Sequence, residues 1–156
     1  MLVTIMNTSE HYDYEINDIE LLDQLHIQFA LSNYCKFKAV MKSLEDKIKY
    51  INDQKHTLPS GIVKKREALF SKKPNKLLDL MEKEQILLAN YKGYQYYIDL
   101  ADNFVKGIPE PGKSLIIDRY YNSMSWSLLE DKYNFSERQM NRIIKRNIKS
   151  YNTINS

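Results

Sequence analysis

The stretch that decides the fold is Ser125-Trp126-Ser127-Leu128-Leu129-Glu130-Asp131-Lys132-Tyr133-Asn134-Phe135-Ser136, running on into Glu137-Arg138-Gln139-Met140-Asn141-Arg142-Ile143-Ile144-Lys145-Arg146-Asn147-Ile148-Lys149. Ser125 is placed to cap a helix, and Trp126, Leu129 and Tyr133 recur at i, i+3 and i+7, the spacing of one buried helical side. Asn134 follows as a stop, because Asn tolerates the left-handed backbone that ends many helices. Phe135 is expected to plug the corner. Ser136 with Gln139 three residues on has the form of a capping box for a second helix. In that helix Met140, Ile143, Asn147, Ile148 and Tyr151 are expected to bury against Leu129, Tyr133 and a preceding helix. The remaining faces carry Arg138, Asn141, Arg142, Lys145, Arg146 and Lys149.

Working outward, Lys113–Asn122 reads as that preceding helix, with Leu115, Ile116, Tyr120 and Tyr121 facing inward. Gly107-Ile108-Pro109-Glu110-Pro111-Gly112 packs two prolines and two glycines into six residues. Such a cluster stops one helix and starts a new unit. The expected organisation is therefore a region 1–109 and a C-terminal module 110–156. Within the first, Asn17 is a plausible cap for a helix running to about Asp53. Ala30, Tyr34, Phe37, Met41, Leu44, Ile48 and Ile51 recur in a 4-3-4-3-4-3 rhythm, a narrow seam for another helix. His56-Thr57-Leu58-Pro59-Ser60-Gly61 breaks it, and the polar stretch up to Pro74 reads as a loop. Asn75 can cap a second long helix, roughly Lys76 to Val105, with Leu77, Met81, Leu88, Tyr91, Ile98, Ala101 and Val105 on its seam. Two such helices fold back most simply as an antiparallel hairpin. The same seam could instead serve a homodimer. Tyr91, Tyr94, Tyr96 and Tyr97 fit either core positions or an interaction surface. The fold class is all-α: a long N-terminal helical hairpin followed by a three-helix helix-turn-helix module.

Composition narrows the function. Only four Gly and four Pro among 156 residues argue against a turn-rich β fold. The single cysteine, Cys35, rules out an internal disulfide and any multi-cysteine zinc cluster, and suits a reducing compartment. His11, His26 and His56 have no ligand spacing, so no metal or other cofactor is expected. No apolar run reaches the ~18 residues a membrane helix needs, and the start has no basic leader; the expected location is the cytoplasm. No Gly-rich phosphate loop or nucleophile–base pair argues for an enzyme.

The charge is mild in sum, +3, but uneven. Residues 110–156 hold eight Lys/Arg against five Asp/Glu, and residues 49–76 hold eight against two. Basic patches on a neutral background suit a polyanion, although solvated loop lysines also explain the second one. A major groove admits one helix, whose first turns meet base edges while later residues meet phosphates. Arg138, Asn141 and Arg142, with Gln139 beside them, are the candidates for base contact; Lys145, Arg146 and Lys149 are the phosphate clamps. Ser125 and Ser136, at helix starts, are placed to hold phosphates.

Tyr120-Tyr121-Asn122-x-Met124-Ser125-Trp126-x-x-Leu129, then Tyr133-Asn134-Phe135-Ser136-Glu137-Arg138-Gln139-Met140-x-Arg142-Ile143, resembles the helix-turn-helix of sigma-factor region 4. The variant it is most similar to occurs in phage late-gene transcriptional regulators of the RinA/ArpU type. The resemblance covers roughly 110–151 by motif and implies Glu137, Arg138, Asn141 and Arg142 at the DNA-facing start of the recognition helix. It implies double-stranded DNA as partner, RNA polymerase as a further one, and activation of phage or prophage late genes. Two positions depart from the pattern. Glu130 stands where such modules place a small residue, and Ile144 is apolar where the pattern is exposed and polar; either could shift the packing or mark a protein-binding surface. Two other readings stay open: a module that docks on polymerase or another phage protein without reading DNA, and a small DNA-packaging recognition subunit.

Overall fold

A computed structural model describes residues 21–58 and 75–151. The proposed cap at Asn17 and the basic stretch Lys64–Lys73 lie outside these residues. The described residues are helical with short connections and no strand. Helix α1 covers residues 21–32, α2 Tyr34–Thr57, α3 Lys76–Gly107, α4 Gly112–Ile116, α5 Trp126–Tyr133 and α6 Glu137–Ser150; α4 continues directly into a π-helical turn, Ile117–Tyr121. None of them is long and apolar enough to cross a membrane.

The chain divides into two compact units, one of residues up to Cys35 and from Tyr97 onward, the other Lys36–Tyr96. The second unit is an antiparallel helical pair. Phe37 meets Tyr94 edge to face, the Tyr91 hydroxyl donates to Glu45 at 2.8 Å, and Lys55 pairs with Glu84 at 2.8 Å. Partners that run forward on α2 run backward on α3. The α2 seam is as its spacing predicts, with Phe37, Met41, Leu44 and Ile51 buried and Ile48 half-buried. On α3 the expected seam residues Leu77, Tyr91, Ile98, Ala101 and Val105 are buried or half-buried, but at two positions the seam is displaced by one residue. Met81 and Leu88 are exposed, while Leu80 is buried and Leu87 half-buried. The apolar doublets Leu80-Met81 and Leu87-Leu88 fit either of two neighbouring registers, and only the partner helix chooses. Asn75 caps α3 as expected, its Oδ1 accepting the N–H of Leu77 at 3.1 Å.

In the first unit a single core joins α1, the C-terminal part of α3, and α4–α6. Ile27, Ala30, Leu31, Ala101, Phe104, Leu115, Ile116, Leu129 and Met140 are each at most 1% exposed. This core crosses the Gly/Pro-rich segment at 107–112, so that break separates helices and not compact units. Asn33 interrupts the N-terminal helix predicted as continuous to Asp53. Its side-chain amide donates to the Phe29 carbonyl at 2.9 Å, a local bond of the kind that bends helices. One connection is unusually close. A Cβ on buried Gly112 would lie 2.2 Å from Asn147 Nδ2. That amide is itself held on the Ile143 carbonyl at 2.9 Å. Gly112→Ala must dislodge Asn147, so it is expected to lower stability by roughly 1 kcal/mol, the worth of one such bond, as read from urea denaturation followed by circular dichroism.

Candidate nucleic-acid interface

The candidate interface is built outward from one buried carboxylate. Asp118, in the π-helical turn, is 7% exposed. Its Oδ1 accepts from Asn122 at 3.0 Å, and its Oδ2 from Lys132 at 2.6 Å and from the Tyr133 hydroxyl. Burial pushes the carboxyl up, but the bonds from Lys132, Tyr133 and Asn122 and the lysine charge outweigh it and hold Asp118 below its ordinary value. The Tyr133 phenol is raised in turn, by burial and then by the Asp118 carboxylate. Arg119, next in the chain, donates to the Met124 carbonyl at 2.9 Å and lies over the Trp126 ring at 4.3 Å. These contacts tie the turn to both ends of α5. A second carboxylate secures the other side of the turn. Asp102 accepts from Tyr34 at 3.0 Å and Tyr121 at 2.7 Å, whose rings stack at 3.8 Å. Burial, then Asp102, raises the Tyr34 hydroxyl to about 12.

From α5 the chain turns into α6 in three residues. Ser125 accepts the Leu128 N–H at 3.3 Å and so caps α5. Asn134 adopts the left-handed conformation, φ 57°, and donates its N–H to the Glu130 carbonyl. Phe135 is half-buried against the core. Ser136 and Gln139 form the full capping box: Ser136 accepts the Gln139 N–H at 3.2 Å, and the Gln139 Oε1 accepts the Ser136 N–H at 2.9 Å. Glu130 Oε1 accepts the Glu137 N–H at 3.1 Å, closing one more of the open donors at the start of α6.

Met140, Ile144 and Ile148 are the buried positions of α6; Ile143, Asn147 and Tyr151 are half-buried. Ile144 is therefore core, and the exposed, polar character that the resemblance implies at this position is not found. The reason is geometric, since Met140, Ile144 and Ile148 follow the i, i+4, i+8 row of one helix face. At about 100° per residue, Arg138, Arg142, Lys145 and Lys149 fall on the opposite side, with Arg146 at its edge. All five are exposed, and none makes an ion pair or hydrogen bond among the described residues. Glu137, Arg138, Asn141, Arg142 and Lys145 line one shallow concavity of about 590 Å³.

The ten candidate residues thus lie in one short segment, but they are not equally available. Gln139's carbonyl oxygen is committed to the cap, leaving only its NH₂ to donate. Ser125 and Ser136 spend a lone pair on backbone N–H groups and keep their hydroxyl protons for an acceptor such as phosphate. Asn141 is half-buried at the side of the stripe, whereas Arg138 and Arg142 project from its middle. Two further cations of the module, Arg119 and Lys132, hold the fold together. Comparison with protein-family models, with curated proteins and with solved structures gives no match for this chain.

The pH dependence of stability follows from Asp118. A carboxyl held below its unfolded value contributes stability above about pH 4 and loses it as the pH falls through its folded value. Asp118→Asn is expected to cost roughly 2 kcal/mol at pH 7, the scale of a bond to a charged acceptor. The gap from the parent protein should narrow below about pH 4. Urea midpoints measured from pH 7 to pH 3 check this; a constant gap would contradict it.

Proposed function

We propose that this chain is a sequence-specific DNA-binding transcriptional regulator that places α6 in the major groove. The observation that carries the reading is the cationic stripe Arg138, Arg142, Lys145 and Lys149, opposite the buried face and without acidic partners among the described residues. Exposed lysines and arginines are commonly solvated, but unneutralised cations in one helical row, after a capped three-residue turn, match the spacing of a phosphate-lined groove. Arg138, Arg142 and Asn141 are assigned to base edges, Arg by bidentate donation to guanine and Asn by pairing with adenine. Lys145, Arg146 and Lys149 are assigned to phosphates, with the Ser125 and Ser136 hydroxyls as donors at the flanks. Glu137, at the rim of the same concavity, is suited to accept from a cytosine amino group. The resemblance to sigma-factor region 4 and to phage late-gene regulators extends the proposal to activation of phage or prophage late genes, with RNA polymerase as a second partner.

Binding should weaken linearly with the logarithm of salt concentration. Lys145→Ala is expected to weaken binding to all sequences alike and to reduce the salt slope by about one phosphate contact. Arg142→Ala is expected to cost roughly 1–3 kcal/mol on the target and less on random DNA. Fluorescence anisotropy on a promoter selected from random sequence, at several salt concentrations, reads both effects. If both variants bind as the parent does, the assignment fails; binding to polymerase alone, without DNA, would then support a docking module instead.

A further inference from the structure

One residue grips the turn before α6 from both sides. The Glu130 carbonyl, in the last turns of α5, accepts the N–H of Asn134 at 2.9 Å, and its side-chain Oε1 accepts the N–H of Glu137 at 3.1 Å. A single amino acid thus brackets the residues that connect the two helices. Of the four N–H groups that open α6, that of Ser136 is closed by Gln139, that of Gln139 by Ser136 and that of Glu137 by Glu130. Closing the last of these with a carboxylate has an electrostatic consequence. Glu130 is exposed and makes no ion pair among the described residues, and the same holds for Glu137. The cations of α6 begin only at Arg138, so the end of the helix that leaves the turn carries two carboxylates without cationic partners.

An open helix start favours an anion, because its free N–H groups and the helix dipole both point at it. Here the chain's own carboxylate holds that place. Binding to DNA of arbitrary sequence is made almost wholly of phosphate contacts, and in that mode the first turn of α6 has only phosphates to meet. In the base-reading mode the same turn faces base edges, and the phosphate contacts pass to the later cations and the flanking hydroxyls. The Glu130 charge therefore opposes the first mode more than the second. Discrimination grows when the wrong complex is penalised as well as when the right one is favoured. The bond to the Glu137 N–H acts in the same direction. It fixes the first turn before DNA arrives, so less freedom is lost when Arg138, Asn141 and Arg142 meet their bases.

We propose, resting on the DNA-binding function above, that Glu130 is the positioning residue that sets sequence specificity. Its carboxylate keeps phosphates from the start of α6, and its bond holds that start ready for base edges. Glu130→Gln keeps an oxygen acceptor for the Glu137 N–H and removes the charge; Glu130→Ala removes both. Fluorescence anisotropy of the full chain is read on two duplexes, one selected by the parent from random sequence and one with the same bases shuffled. At low salt Glu130→Gln is expected to bind the shuffled duplex roughly three- to tenfold more tightly and to gain less on the target, so the target-to-shuffled ratio falls. That gain should shrink as salt rises. Glu130→Ala should gain as much on the shuffled duplex, yet bind the target roughly tenfold more weakly than Glu130→Gln does. A merely structural role would instead lower both affinities together. Variants that keep the parent's ratio, or that lose affinity for both duplexes in equal measure, overturn the assignment of Glu130 alone. A parent that binds both duplexes alike, or neither, overturns the DNA reading beneath it.

Discussion

A charged carboxylate taken out of water costs several kcal/mol unless hydrogen bonds and an opposite charge replace what water supplied. Asp118 meets that demand with three partners, and its partners are what join the pieces of the C-terminal module. Asn122 is one helical turn along the same segment, while Lys132 and Tyr133 come from the last turn of α5. The network therefore sets the position of α5 relative to the π-helical turn. Leu129, wholly buried on α5, carries that position into the core. The entry of α6 depends on it in turn, because Glu130 of α5 closes the Glu137 N–H. The direction in which the cationic stripe points is thus traceable to one buried carboxylate.

This chain of dependence explains the two residues that departed from the expected pattern. Glu130, at a position where the resembled pattern has a small residue, has a task across the turn, supplying an acceptor to a helix start that the Ser136 box only partly satisfies. Ile144 is apolar because the core of α6 runs through Met140, Ile144 and Ile148, leaving Ile143 at its edge. Ile144, buried in this core, offers no surface for a protein partner. The positive charge of the module is also redistributed. Arg119 is engaged by the Met124 carbonyl and Trp126 and Lys132 by Asp118, while the five cations of α6 remain exposed.

Much of the fold was legible in the sequence where the signal is local. Capping needs side chains within three residues of the helix start, so Asn75, Ser125 and the Ser136–Gln139 box could be read directly, as could the left-handed Asn134. The α2 seam was legible because its apolar residues are separated by polar ones. The α3 seam was legible at Leu77, Tyr91, Ile98, Ala101 and Val105 but not at 80–81 and 87–88, where paired apolar residues permit two registers. No local pattern marks Asp118 as a junction, because Lys132 and Tyr133, the partners that join it to α5, lie fourteen and fifteen residues away. The π-helical turn shares that property, because Lys132 and Tyr133 of α5 hold Asp118 within it.

By itself, the sequence determined the all-helical class, the starts and stops of most helices, and the candidate segment Ser125–Lys149, all governed by interactions within a turn or two of the backbone. The tertiary structure alone decided which residue of the doublets 80–81 and 87–88 α3 buries, which cations remain unpaired among the described residues, and that α1 shares a core with the C-terminal module. Those outcomes depend on burial and charge pairing between residues far apart in the chain, and the free energy of burying a side chain or pairing a charge is set by the neighbours that surround it.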